Sequence, residues 1–149
     1  MGGMQRVSMQ LSYQLHLIDE VELVSITQET GWKNIGLKTT FFLIRLLLTL
    51  PGIVRREKPD IILFSSMVTG SLSYFLRIRI SVPMVSISHG HDVTLDVGIY
   101  QWLLRRVFGA LDGVISVSSA TQQACTSRGL KAEKSQVLPN GFDMRDLEN

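Results

Sequence analysis

Short apolar runs of strand length alternate with stretches of helical spacing along most of this chain, and that alternation limits its possible folds more than any other feature. Ile61-Ile62-Leu63-Phe64, introduced by Pro59-Asp60, is a continuous apolar run that suits a strand buried on both faces. Further strands are predicted over 21–27, 84–88, 113–117 and 136–138. Between them, Met4, Val7, Leu11 and Leu15 keep a helical spacing, as do Ile99, Leu103, Val107 and Leu111 within 95–111. Helices are also expected over 35–56, bent or ended near Pro51, and over 69–80. Ser118 or Ser119 should cap a helix that runs to about Arg128 and stops at Gly129. Residues 28–34, with Gly31 among polar neighbours, read as a loop. Strands joined by crossover helices give an α/β fold, a parallel sheet with helices on both faces. Ligands of such sheets sit at the carboxyl ends of the strands.

Composition narrows the class. The chain has 149 residues, the length of one domain and enough for a real core. Apolar residues make up 45% and charged residues 19%, which excludes a disordered chain. A net charge of +2 is too small to argue for nucleic acid as a partner. Cys125 is the only cysteine, so no internal disulfide can form, which fits a reducing, cytoplasmic setting. No zinc-type Cys/His spacing is present, no metal is expected, and the N-terminus lacks the apolar core of a signal peptide. The greasiest run, 40–54, is broken by Arg45 and Pro51-Gly52 and reads as too short to span a bilayer. Basic residues pair locally as Arg55-Arg56, Arg77 with Arg79, and Arg105-Arg106. Solvated helix ends explain them; a face leaning on anionic lipid is the sharper alternative.

Three places could carry chemistry. Gly2-Gly3 precedes a helix, where a ligand can approach the backbone and free N–H groups can receive an anion. Taken in isolation, a flexible chain start is the preferred reading of the pair. Ser88-His89-Gly90-His91-Asp92 follows an apolar strand directly, which puts His89 and Asp92 at a carboxyl strand end. Imidazole there can hydrogen-bond a sugar hydroxyl, and the bland alternative is a polar loop with Asp92 as a local cap. For His91 the bland reading is preferred, and for Ser118 helix capping suffices. No carboxylate pair fit for acid–base work and no Ser-His-Asp set stands out. Cys125 reads as a small core residue. Pro139-Asn140-Gly141 is a turn closing the last strand.

Taken in order, these pieces resemble the N-terminal domain of the GT-B glycosyltransferases of family 4. The pieces are Gly2-Gly3 with the helix from Met4 to Leu15, Lys58-Pro59-Asp60-Ile61-Ile62, and Val85-Ser86-Ile87-Ser88-His89-Gly90-His91-Asp92. Arg105-Arg106 to Asp112, Val114-Ile115-Ser116-Val117-Ser118 and Pro139-Asn140-Gly141-Phe142-Asp143 complete the set. The resemblance implies a Rossmann-like, doubly wound sheet and the transfer of a sugar from a nucleotide-sugar donor to the hydroxyl of a glycan or lipid-linked acceptor, without metal or other cofactor. It implies that Gly2 and Gly3 approach the donor diphosphate and that His89 contacts the donor sugar. Asn140 and Gly141 would lead into the hinge on the donor side, and Arg105 or Arg106 would face the acceptor.

Two departures from the family pattern set further expectations. Family members place an apolar strand, central in the sheet, before the glycine pair, whereas only Met1 precedes it here. The family's C-terminal nucleotide-binding domain is also absent, so the expectation is a single N-terminal domain over 1–149 from a mis-started or truncated gene. Such a chain should be poorly stable or prone to aggregate and inactive alone. Its whole protein would serve glycan or polysaccharide synthesis in the cytoplasm, with peripheral contact at the inner membrane face. The alternatives are a non-catalytic half-domain that binds a partner and, behind it, a flavodoxin-like regulatory domain.

Overall fold

The computed structural model describes residues 3–27, 35–94 and 98–139. Helix α1 (Gly3–His16) follows the expected spacing, with Val7, Leu11 and Leu15 half-buried and Met9 and Tyr13 exposed. Residues 21–27 form no strand, contrary to their pattern. An extended segment becomes a strand only when a neighbour takes its N–H and C=O groups, and no described strand pairs with this one.

Helix α2 (Ile35–Glu57) continues past Pro51, near which it was expected to bend or end, and so does not end there. Proline removes one backbone hydrogen bond at a cost of about 3 kcal/mol. Here its ring is buried, and packing on both sides of it carries the helix onward: Leu46 and Leu50 enter the core, with Leu47 and Val54 against it. The opposite side of α2 leaves Leu37, Phe41, Ile44 and Leu48 exposed. As a helix, Gly36–Glu57 is long and apolar enough to cross a membrane by length and composition, which corrects the shorter estimate from sequence. Spanning would strip Leu46 and Leu50 from the core, so the packed position is the one the contacts define.

Strands β1 (Ile62–Phe64), β2 (Met84–Ser88), β3 (Gly113–Ser116) and β4 (Ser135–Val137) form one parallel sheet in the order β1-β2-β3-β4. Phe64 lies opposite Ser86, Ser86 opposite Val114, and Ser88 opposite Ser116. Alternation along each strand therefore sends Phe64, Met84 and Val114 to one face and Leu63, Val85, Ile87 and Ile115 to the other. The helix expected over 69–80 divides into α3 (Met67–Gly70) and α4 (Ser73–Leu76). Between them the Ser71 hydroxyl donates to the Val68 carbonyl, and the Leu72 N–H closes a tighter turn on Thr69. Helix α5 (His91–Thr94) follows β2, and α6 (Gly98–Ala110) leads to β3. Helix α7 (Ser119–Thr126) is capped by Ser118, whose hydroxyl accepts from the Thr121 N–H. Gly129 takes a φ of 105° just beyond it, a conformation that glycine adopts without strain.

The core gathers Phe64, Met84 and Val114 from the sheet with Leu76 of α4 and Leu104, Val107 and Phe108 of α6. Beyond α6, Lys134 donates to the Leu111 carbonyl at 2.6 Å and the Gly109 carbonyl at 3.2 Å, a positive charge on the negative end of that helix. Arg77, paired with Arg79 in the lipid-facing alternative, is instead bound to Asp112.

Candidate functional site at the carboxyl edge of the sheet

Every described strand ends on the same edge, and serine dominates the turns there. Ser65 and Ser66 follow β1, Ser88 ends β2 just before His89, and Ser116 ends β3 just before Val117 and Ser118. Small hydroxyl side chains suit these places because the next backbone turns sharply into a helix and needs capping. Ser66 caps α3 through the Thr69 N–H, and its carbonyl accepts from the Ser86 hydroxyl at 3.1 Å. These bonds fix the turn after β1 against the middle of β2.

His89 is half-buried at the end of β2, with its ring Nε2 2.9 Å from the Ser65 carbonyl. Asp92 is buried, and a buried carboxylate requires donors. It has three: the Met67 N–H at 3.0 Å, the His89 N–H at 3.0 Å and the Ser88 hydroxyl at 3.3 Å. Asp92 is thus more than a cap for its own turn, because Met67 opens α3 on the neighbouring strand connection. Gly90 holds a φ of 90°, and a Cβ there would lie 3.1 Å from the Thr121 hydroxyl. Only glycine passes that point easily. The Tyr100 hydroxyl donates to the Asp92 carbonyl. Burial, with the Asp92 charge beside it, pushes the Tyr100 phenol up to about 12, so it stays a donor. Burial also raises the Cys125 thiol, which lies 3.5 Å from the Ser88 hydroxyl and is an inert core group.

Of the residues singled out from sequence, His89 stands where it was expected, at the end of β2. Gly3 is the first residue of α1, while Gly2, Asn140 and Gly141 lie outside the described residues. Arg105 and Arg106 are exposed on the second half of α6, and Arg106 stacks over the Trp102 ring at 3.6 Å. Helix α6 leaves the carboxyl edge and returns to the start of β3, so these arginines lie roughly 10 Å along it from that edge. His91 is exposed at the start of α5 and Ser118 is a helix cap, as the bland readings had it. The Ser65 carbonyl and the Asp92–Met67 bond escaped sequence reasoning, because each joins positions about 25 residues apart. Among the described residues no group of three His, Cys, Asp or Glu side chains could hold a metal ion. A depression of about 600 Å³ beside α6 is lined by Thr94, Gln101, Ser127 and Arg128, but the Arg128 guanidinium is already bound to Gln101 and the Ala124 carbonyl.

A parallel four-stranded sheet with crossover helices resembles the Rossmann-like fold of GT-B-type glycosyltransferase domains. The chain belongs to Glycosyltransferase Family 4, whose family model matches residues 1–146. Its fold is similar to crystal structures of the Anabaena protein Alr3699/HepE. The complex with UDP matches at a TM-score of 0.54 and 23% identity, covering 68% of this chain and 28% of that one. The complex with UDP and glucose matches at 0.53 and 20%, covering 92% and 35%. The complex with UDP-glucose matches at 0.50 and 19%, covering 92% and 34%. The chain thus spans about a third of the length of these structures. No curated protein matches it.

Proposed function

We propose that this chain is the acceptor-side half of a glycosyltransferase that moves a sugar from a nucleotide-sugar donor to an acceptor hydroxyl in glycan or polysaccharide synthesis, and that His89 contacts the donor sugar. The observation that carries the reading is the fixed imidazole at the end of β2, in a chain of this family. A uridine diphosphate sugar is the natural first donor to try, since the Anabaena protein binds UDP and UDP-glucose. Saturation-transfer NMR on the chain with a panel of nucleotide sugars tests this. The expected result is magnetisation reaching sugar protons of at least one donor, and its loss in His89→Ala. No transfer to any sugar, or an unchanged signal in His89→Ala, contradicts it.

Peripheral contact with the inner face of a membrane, in a cytoplasmic protein, is the accompanying proposal. It is supported by the exposed stripe Leu37, Phe41, Ile44 and Leu48 on α2, with exposed Arg45, Arg55 and Arg56 on the same helix. Vesicles containing phosphatidylglycerol should sediment the chain, and replacing those three arginines by glutamine should release it. Equal sedimentation of wild type and variant would overturn the contact. The same stripe favours a second reading, a non-catalytic half-domain whose apolar face is covered by a partner.

A further inference from the structure

The bond between His89 and Ser65 decides which ring nitrogen a ligand can meet. A backbone carbonyl only accepts, so Nε2, 2.9 Å from the Ser65 oxygen, carries the hydrogen. In the neutral ring that leaves Nδ1 bare, with a lone pair. Among the described residues Ser65 is the ring's only hydrogen-bond partner.

We propose that the Ser65 carbonyl holds His89 as its Nε2–H tautomer with Nδ1 open as an acceptor, and that Asp92 is the residue positioning this pair. The proposal rests on the reading of His89 as the donor-sugar contact and deepens it. The histidine then recognises a hydroxyl, which donates, and a phosphate oxygen finds no donor on the neutral ring.

Asp92 can fix the arrangement because it grips both strand connections. One carboxylate oxygen takes the His89 N–H and the Ser88 hydroxyl, which sets the backbone that bears the ring. The other takes the Met67 N–H, two residues beyond Ser65. Ser66 is anchored in its turn by the Ser86 hydroxyl and by its own cap on α3. The Asp92 bonds therefore hold the backbone that carries the imidazole against the turn that carries the Ser65 carbonyl, which keeps the two within reach of each other. The carboxylate acts through His89 and is a positioning residue.

The test is a long-range proton–nitrogen spectrum of the ¹⁵N-labelled chain, at a pH well above the ordinary imidazole pKa of about 6.5. The His89 signals are assigned by their loss in His89→Ala. The expected spectrum has a pyrrole-type Nε2 and a pyridine-type Nδ1. An Nδ1–H pattern, or values averaged between the tautomers, overturns the proposal. In Asp92→Asn, shown to be folded by its amide dispersion, the His89 shifts should move toward tautomer averaging. A pure Nε2–H pattern in that folded variant overturns the role of Asp92. Should Asp92→Asn not fold, Ser88→Ala removes a single donor to Asp92 and should produce a smaller move in the same direction, no move again counting against it. Titration with UDP-glucose separates the two readings. A shift at Nδ1 supports the sugar contact, while a pure Nε2–H pattern that ignores UDP-glucose and every other nucleotide sugar overturns that contact and leaves the tautomer standing.

Discussion

Arg77 and Asp112 meet in a two-pronged ion pair, with Nη1 3.0 Å from Oδ2 and Nη2 2.9 Å from Oδ1. The same carboxylate accepts the Met84 N–H at 2.8 Å, so it ties the end of α4 and the turn before β3 to the first residue of β2. Burial acts to raise the Asp112 pKa, but the Met84 bond and the Arg77 charge outweigh it and hold the carboxyl below its ordinary 3.8.

A carboxyl depressed in the folded state contributes stability above its unfolded pKa, and that contribution disappears as pH falls through the folded value. The unfolding midpoint should therefore drop on acidification below about pH 4. Asp112→Asn should flatten that part of the profile and cost about 1 kcal/mol at neutral pH, the pair being partly exposed. Urea melts across the acid range check both; an unchanged acid limb in the variant would count against the pair.

Gly70 is needed for space. A Cβ there would lie 2.5 Å from the Ser86 hydroxyl and 3.0 Å from the Ser86 Cβ. Gly70→Ala should cost about 1–3 kcal/mol, and Ser86→Gly in the same chain should recover part of it. A double-mutant cycle with no coupling would show that the two positions do not touch.

Phe108 fills the centre of the core between α6 and the sheet and is almost fully buried. Phe108→Ala should lower stability by about 3–5 kcal/mol, a large fraction of what a domain of this size has. Equilibrium denaturation measures it, and a loss near zero would contradict the packing described.

Among the described residues no strand pairs with the outer edge of β1, where Ile61 is exposed beside Leu63, and α2 adds exposed Phe41 and Leu48. An uncovered edge with apolar neighbours invites pairing with other chains. The purified chain should self-associate, and Ile61→Lys with Leu48→Lys should reduce this. Size-exclusion chromatography with light scattering gives the answer, and a monomeric wild type at high concentration would contradict the expectation.

Local signals were legible in the sequence where the cause is itself local. Strand 84–88 matched at both ends, because an apolar run between a Val-Pro start and a polar turn is self-contained. The Ser118 cap and the stop at Gly129 were visible for the same reason. Segment 21–27 has the pattern of a strand but no described strand pairs with it, and pattern carries no information about neighbours. The break between α3 and α4 turned on a single serine competing for a backbone carbonyl. His89 and Asp92 could be picked out because they follow a buried strand within three residues of each other, whereas their partners Ser65 and Met67 appear only once β1 and β2 lie side by side.

The most direct measurement is a map of backbone amide shifts in the ¹⁵N-labelled chain on adding UDP-glucose, then other nucleotide sugars. The account predicts that the shifted amides gather at the carboxyl edge, around Ser65, Ser66, His89, Gly90 and Ser118. Shifts confined to the opposite end, near Arg77, Gly113 and Lys134, or no shifts with any donor, would contradict it.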